Sequence, residues 1–168
     1  AAQVSVGTSS ACALALDGVT CWGYNYYGEN DIPALMIDPD GDGRNYAEVE
    51  ISPVNIVCDL LMLRGDPDKQ SDLGWDFRGL RTAVHTWDSN KSGWTAIALL
   101  PWAGFAALPD TDMRLPPRAG DSWRFNVFRI KRPHGPGDPH RDLLLAAWSP
   151  VPAESFHVPE VFRPMVFK

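Results

Sequence analysis

At 168 residues, with 45% hydrophobic and 21% charged side chains, the chain has the size and composition of one globular domain, which argues against disorder. Its net charge of −6 argues against a nucleic-acid partner, whose phosphates demand a basic face, and makes a neutral or cationic partner more natural. No apolar run reaches the roughly 18–20 residues of a membrane-spanning helix, and the start AAQVSV has neither an initiator Met nor a signal-peptide pattern, so the chain reads as a mature protein or a fragment.

Fifteen prolines and fourteen glycines punctuate short alternating or β-branched runs, the pattern of an all-β protein. In chain order the predicted strands are Ala11–Leu16, Val19–Trp22, Ala34–Ile37, Tyr46–Ile51, Ile56–Leu63, Leu80–Trp87, Trp94–Leu100, Ser122–Lys131, Leu143–Trp148 and Met165–Phe167. Pro101–Leu108 reads as a short helix, with proline at its start where a missing N–H does no harm. Asp17-Gly18 between apolar runs predicts a tight hairpin. The polar loop Asp88–Gly93 predicts a second, making 80–87 and 94–100 antiparallel neighbours.

On the Ser122–Lys131 strand Trp123, Phe125 and Val127 share one face, and Arg124 and Asn126 the other. Phe128 and Ile130 then break the alternation, as a bulge or a strand buried on both sides would. The run Pro133–His140 reads as an exposed loop. There, a metal site of His134, Asp138 and His140 is far less expected than plain solvation.

Three cysteines are too few for a disulfide scaffold and have no zinc-type spacing. Cys12 and Cys21 can bridge across the hairpin in an oxidising compartment, with Cys58 a small core residue. Asp38, Asp40 and Asp42 alternate with Pro39, Gly41 and Gly43, a spacing that lets three carboxylates converge on a hard cation such as calcium. The bland alternative is a polar Asp/Gly turn. Val49 stands where an EF-hand would have its closing glutamate. Catalytic signatures are missing: no GxSxG elbow, Walker loop, dinucleotide fingerprint or HExxH helix occurs.

Five stretches carry a resemblance: MIDPDGDGRNYAEVEISP at 36–53, GWDFRGLRTAVH at 74–85, GWTAIALLPW at 93–102, PPRAGDSWRFNVFRI at 116–130 and AWSPVPAESFHVPEVF at 147–162. In this order and spacing they resemble the family-9 carbohydrate-binding modules. The resemblance implies an antiparallel β-sandwich over 31–168 that binds poly- or oligosaccharide without catalysis. Such modules sit in secreted, cell-surface or periplasmic proteins of polysaccharide catabolism, with calcium in some members.

Residues 1–30 resemble instead a single repeat of the regulator-of-chromosome-condensation propellers. One repeat cannot bury a core alone, so this hairpin segment is expected to pack on the sandwich.

In the resembling family two aromatic rings clamp a terminal sugar. Phe156 stands where one is normally tryptophan, with Trp148 in the strand before it, and the second falls near Tyr26 or Tyr27. Glu50 occupies the place of a sugar-binding arginine, and Ile97 that of a frequent glutamate. Trp75, between Gly74 and Asp76, is expected as a surface ring, while Trp94, Trp102, Trp123 and Phe125 are expected in the core. The expected sugar-binding set is thus Phe156, Trp148, Trp75, Tyr27, Arg81, Asn126 and Arg129. Rival readings are an interaction sandwich without sugar binding and a haem-binding sandwich of the related superfamily.

Overall fold

The computed structural model describes residues 2–6, 10–15, 18–24, 31–63, 71–87, 93–109, 111–131, 144–152 and 155–168; up to residue 32, and at 93 and 131, it describes backbone alone. Among the described residues twelve strands run β1 Ala2–Val6, β2 Ser10–Ala15, β3 Gly18–Tyr24, β4 Asp31–Asp38, β5 Tyr46–Ile51, β6 Val57–Met62, β7 Ser71–Asp72, β8 Arg81–Trp87, β9 Gly93–Leu99, β10 Ser122–Lys131, β11 Leu144–Ala147 and β12 Arg163–Val166. One short helix, α1, spans Trp102–Phe105, and a 3-10 turn spans Pro159–Val161. The fold is an antiparallel β-sandwich, as the strand pattern predicts.

The strands form a five-stranded sheet in the order β1-β2-β3-β9-β8 and a seven-stranded sheet in the order β11-β10-β4-β5-β6-β7, with β12 also on β10. Strand β10 is the spine of the large sheet. One edge pairs with β4 from Arg124 to Lys131. Its other edge is shared, with β12 on residues 122–125 and β11 on residues 128–131. Main-chain pairing of β3 with β9, Val19 opposite Ala98 through Tyr24 opposite Gly93, places the first hairpin in the small sheet. Ala15 pairs with Gly18, so Gly18 of the predicted Asp17-Gly18 turn opens a strand; Leu16 and Asp17 lie outside the described residues.

Alternate residues from both sheets meet in the main core, among them Leu35, Val49, Trp94, Ala96, Trp123 and Phe125. Helix α1 closes one end: Pro101, extended at φ −66°, ψ 147°, precedes its first turn. Gly104 leaves room for the Phe77 ring, which a Cβ there would strike. The broken alternation on β10 resolves as burial on both faces. Val127 packs between the sheets, while Phe128 enters a second cluster with Met36, Tyr46, Leu60 and Phe162 on the outward face of the large sheet.

Two core expectations fail. Trp102 is 42% exposed, because the first residue of a single-turn helix at the sandwich rim has neighbours on one side only. It lies edge-on to Trp123 and Phe167. Cys58 is exposed, since β6 extends there beyond the covering cluster.

Candidate functional site

The outward face of the large sheet is where polar and aromatic groups gather, because the C-terminal segment crosses it. Phe156 stacks on Phe128, and Phe162 meets the Tyr46 ring edge-on at 5.5 Å. Beside them Glu48, only 4% exposed, has a carboxyl oxygen 3.9 Å from Nδ1 of His157, and that nitrogen lies 3.2 Å from the Tyr46 hydroxyl. Burial, with help from the charge of Glu50, pushes Glu48 up to about 7, while burial lowers the His157 imidazole. Both shifts favour the neutral forms, as expected where desolvation outweighs attraction.

Farther along β10, Asn126 is fully buried and satisfied. Its amide donates to the Ser149 carbonyl (3.1 Å), and its side-chain oxygen accepts the main-chain N–H of Ser149 and of Val127, each at 2.9 Å. Ser149 in turn accepts a bond at Oγ from Nε of Arg163, 3.1 Å away. These groups lie where β11 has ended and β12 begins, and there a cleft of about 470 Å³ opens, lined by Arg124, Arg163, Ser149 and Glu160 among others. Arg124 donates weakly to the Phe162 carbonyl at 3.4 Å.

The aliphatic part of Arg124 lies over Gly41, linking the cleft to the acidic turn between β4 and β5. Here Asp38 is fully buried and accepts the N–H groups of Gly41 and Gly43, each at 3.0 Å. Gly41 and Gly43 take φ of 73° and 78°, a region that glycine enters without a Cβ penalty. Asp40 accepts from the N–H of Asp42 and, at 3.1 Å, from that of Asp112.

One carboxylate oxygen from each of Asp38, Asp40 and Asp42 lies within 4.8 Å of the others, a spread suited to a cation with oxygen ligands at about 2.3–2.6 Å. Burial pushes Asp38 up to about 6, against the lowering effect of its two backbone bonds and with Asp40 adding to the rise. An all-carboxylate donor set with one ligand so placed fits a divalent cation: the cluster could hold a metal ion.

The predicted sugar-binding residues do not form one face. Phe156 is on the outward side of the large sheet, whereas Trp148 stacks on Phe125 at 4.5 Å and Trp75 lies edge-on to Phe77 at 5.6 Å, both against the inter-sheet core. Trp75 is therefore partly buried, not a free surface ring, and its Nε1 is buried with no hydrogen-bond partner among the described residues. Asn126, predicted to meet hydroxyls, is spent on the main chain and sealed from solvent. Arg81 is exposed on the outward face of the small sheet, opposite Leu99 and beside exposed Ile97. Arg129 is half-buried and engaged within the protein. Tyr26 and Tyr27, and the run Pro133–His140, lie outside the described residues. Sequence reasoning missed Glu48, His157, Ser149 and Arg163. Alternation along β5 marks Glu48 as facing Glu50's side, but nothing local shows that a distant segment will cover it.

Comparisons with known proteins follow this architecture. No protein-family model matches the chain. It is 25% identical over 141 residues to a curated Arthroderma benhamiae protein named "Extracellular protein"; the match covers 80% of this chain and 59% of that protein. The chain thus spans about three-fifths of the curated relative it matches. Among solved structures, a "putative carbohydrate-binding protein" from Bacteroides uniformis has a TM-score of 0.61 at 14% identity, covering 98% of this chain and 79% of that one. At this identity the likeness is one of fold. Among the described residues no helix is long and apolar enough to cross a membrane.

Proposed function

We propose that this chain is a noncatalytic carbohydrate-binding β-sandwich of a secreted protein, a module kin to the family-9 type and joined to machinery that degrades polysaccharide. The observation carrying this reading is the fold likeness to the Bacteroides uniformis protein, which extends over 98% of the chain and so takes in the hairpin segment as well as the family-9-like stretches. The extracellular name of the Arthroderma relative supports secretion. Phe156 offers the kind of ring on which the apolar face of a pyranose stacks, with the exposed His157 beside it, held from below by buried Tyr46 and Glu48, to meet a hydroxyl. Calcium at Asp38, Asp40 and Asp42 is proposed as a structural ion.

The test is a glycan array followed by calorimetry with cellulose-, xylan- and chitin-derived oligosaccharides. Binding in the micromolar to millimolar range, about −8 to −4 kcal/mol, is expected for a shallow site. Prolonged incubation with the same glycans should release no new reducing ends. Absence of binding to every glycan sinks the reading.

A further inference from the structure

We infer that the cleft between Ser149 and β12 is a carboxylate-binding subsite, and that the sugar it takes is an acidic one, a uronate unit within an oligosaccharide. This rests on the carbohydrate-binding reading and narrows it to a ligand class.

The first ground is that Arg163 is held in place. Its Nε bonds Ser149 Oγ at 3.1 Å; Ser149, 2% exposed, is itself fixed through two main-chain bonds to the fully buried Asn126. This chain of bonds orients one edge of the exposed guanidinium, and the two Nη groups are the donors the inference gives to a ligand. A guanidinium presents donors in the fork that matches a carboxylate, and prior ordering spares part of the side-chain entropy that binding otherwise costs. This also gives buried Asn126 a purpose: it is a positioning residue, acting on the cleft through Ser149.

The second ground is composition. Arg124 supplies a second guanidinium to the same cleft. Glu160 lines it too and interacts within the protein; the lining thus holds two guanidinium groups and one carboxylate, and because the acidic turn lies against Arg124, the acidic preference rests on Arg163. Pro150 and Pro164 add apolar wall, suited to the C–H face of a sugar ring. The volume, about 470 Å³, falls in the range of small-ligand sites. Negative charge beyond that turn does not prevent this, since charges more than about 8 Å away are largely screened at physiological salt.

Calorimetry with oligogalacturonate and with glucuronate-bearing xylo-oligosaccharide, each against a neutral oligosaccharide of equal length, tests the inference. The acidic ligands should bind about tenfold or more tightly than the neutral ones, as charge-assisted bonds exceed neutral ones. Arg163→Ala should erase that preference, and Ser149→Ala, which frees Nε but keeps the charge, should reduce it. Far-UV circular dichroism and a melt for each variant show that the fold survives. Neutral oligosaccharides binding as well as acidic ones, or an unchanged preference in Arg163→Ala, overturns the subsite while leaving the carbohydrate reading intact. Failure of both ligand classes to bind removes both.

Discussion

The Phe156 ring lies stacked on Phe128, centroids 4.4 Å apart and planes 28° from parallel, so one face of Phe156 is spent on the protein; in the proposed function the sugar takes the other. Two losses should therefore accompany Phe156→Ala: about 1–3 kcal/mol of stability from reduced packing and about tenfold in oligosaccharide affinity from the missing stack. Phe156→Leu separates them. It should restore most of the stability but little of the affinity, and calorimetry on Phe156→Leu showing parental affinity would refute the stacking role.

Trp123 is 3% exposed and edge-on to Phe105 at 4.7 Å and to Phe167 at 5.1 Å. Trp123→Ala should cost about 3–5 kcal/mol by opening a cavity. Trp102→Ala, at the exposed rim of the same cluster, should cost clearly less. Urea denaturation of the two variants measures the contrast, and equal losses would contradict the packing described.

Glu48 holds its proton more tightly folded than unfolded, its value rising from 4.5 to about 7. It therefore penalises the fold increasingly as pH climbs past 4.5, with the full penalty present above about 7. Glu48→Gln should accordingly stabilise the protein by about 2–3 kcal/mol at pH 8 and by almost nothing at pH 4. His157, whose value is lowered, works in the opposite sense, penalising the fold as pH drops through 6.5. Melts of the parent and Glu48→Gln across this range decide it: a pH-independent difference would show that Glu48 is not the titrating group.

Calcium, if it occupies the acidic turn, draws the folding equilibrium toward the native state by mass action, about 2.7 kcal/mol at a hundredfold excess over Kd. The parent should melt higher with calcium than with chelator, and Asp40→Asn should abolish the difference. Superimposable melting curves, with no metal in elemental analysis, would eliminate the site.

Cys12 and Cys21 stand directly opposite in the β2–β3 register, and such positions have Cα atoms about 4.5–5.5 Å apart, within the disulfide range of about 4.4–6.8 Å. Their side chains lie outside the described residues. Protein secreted into an oxidising compartment should carry this bond, with Cys58 alone alkylated before reduction. Alkylation of all three thiols would count against it.

Two strands were legible to the residue: Tyr46–Ile51 and Ser122–Lys131 have their predicted limits, the second although Phe128 and Ile130 break its alternation. Strands β1 and β7 were not. Ser71–Asp72 has no pattern of its own and is a strand only because β6 offers it an edge. The candidate site was less legible than the fold. Alternation correctly set Asn126 apart from Trp123 and Phe125, but burial of that face depends on a segment more than twenty residues later, at Ser149 and Phe162. The same distance hid Arg163: a lone arginine between Phe162 and Pro164 has no signature until Ser149 is beside it.

The pairings of β3 with β9 and of β10 with β12 also set an order of events during synthesis. Tyr24 has to wait for Gly93 to emerge, and Ser122 for Val166, near the end of the chain. Contacts so distant along the sequence make folding slow, and until β12 arrives half of one β10 edge presents unpaired N–H and C=O groups to any passing strand. Trimming the last few residues should thus leave an incomplete ladder and a chain that aggregates, an effect to be seen in soluble yield before any assay of binding.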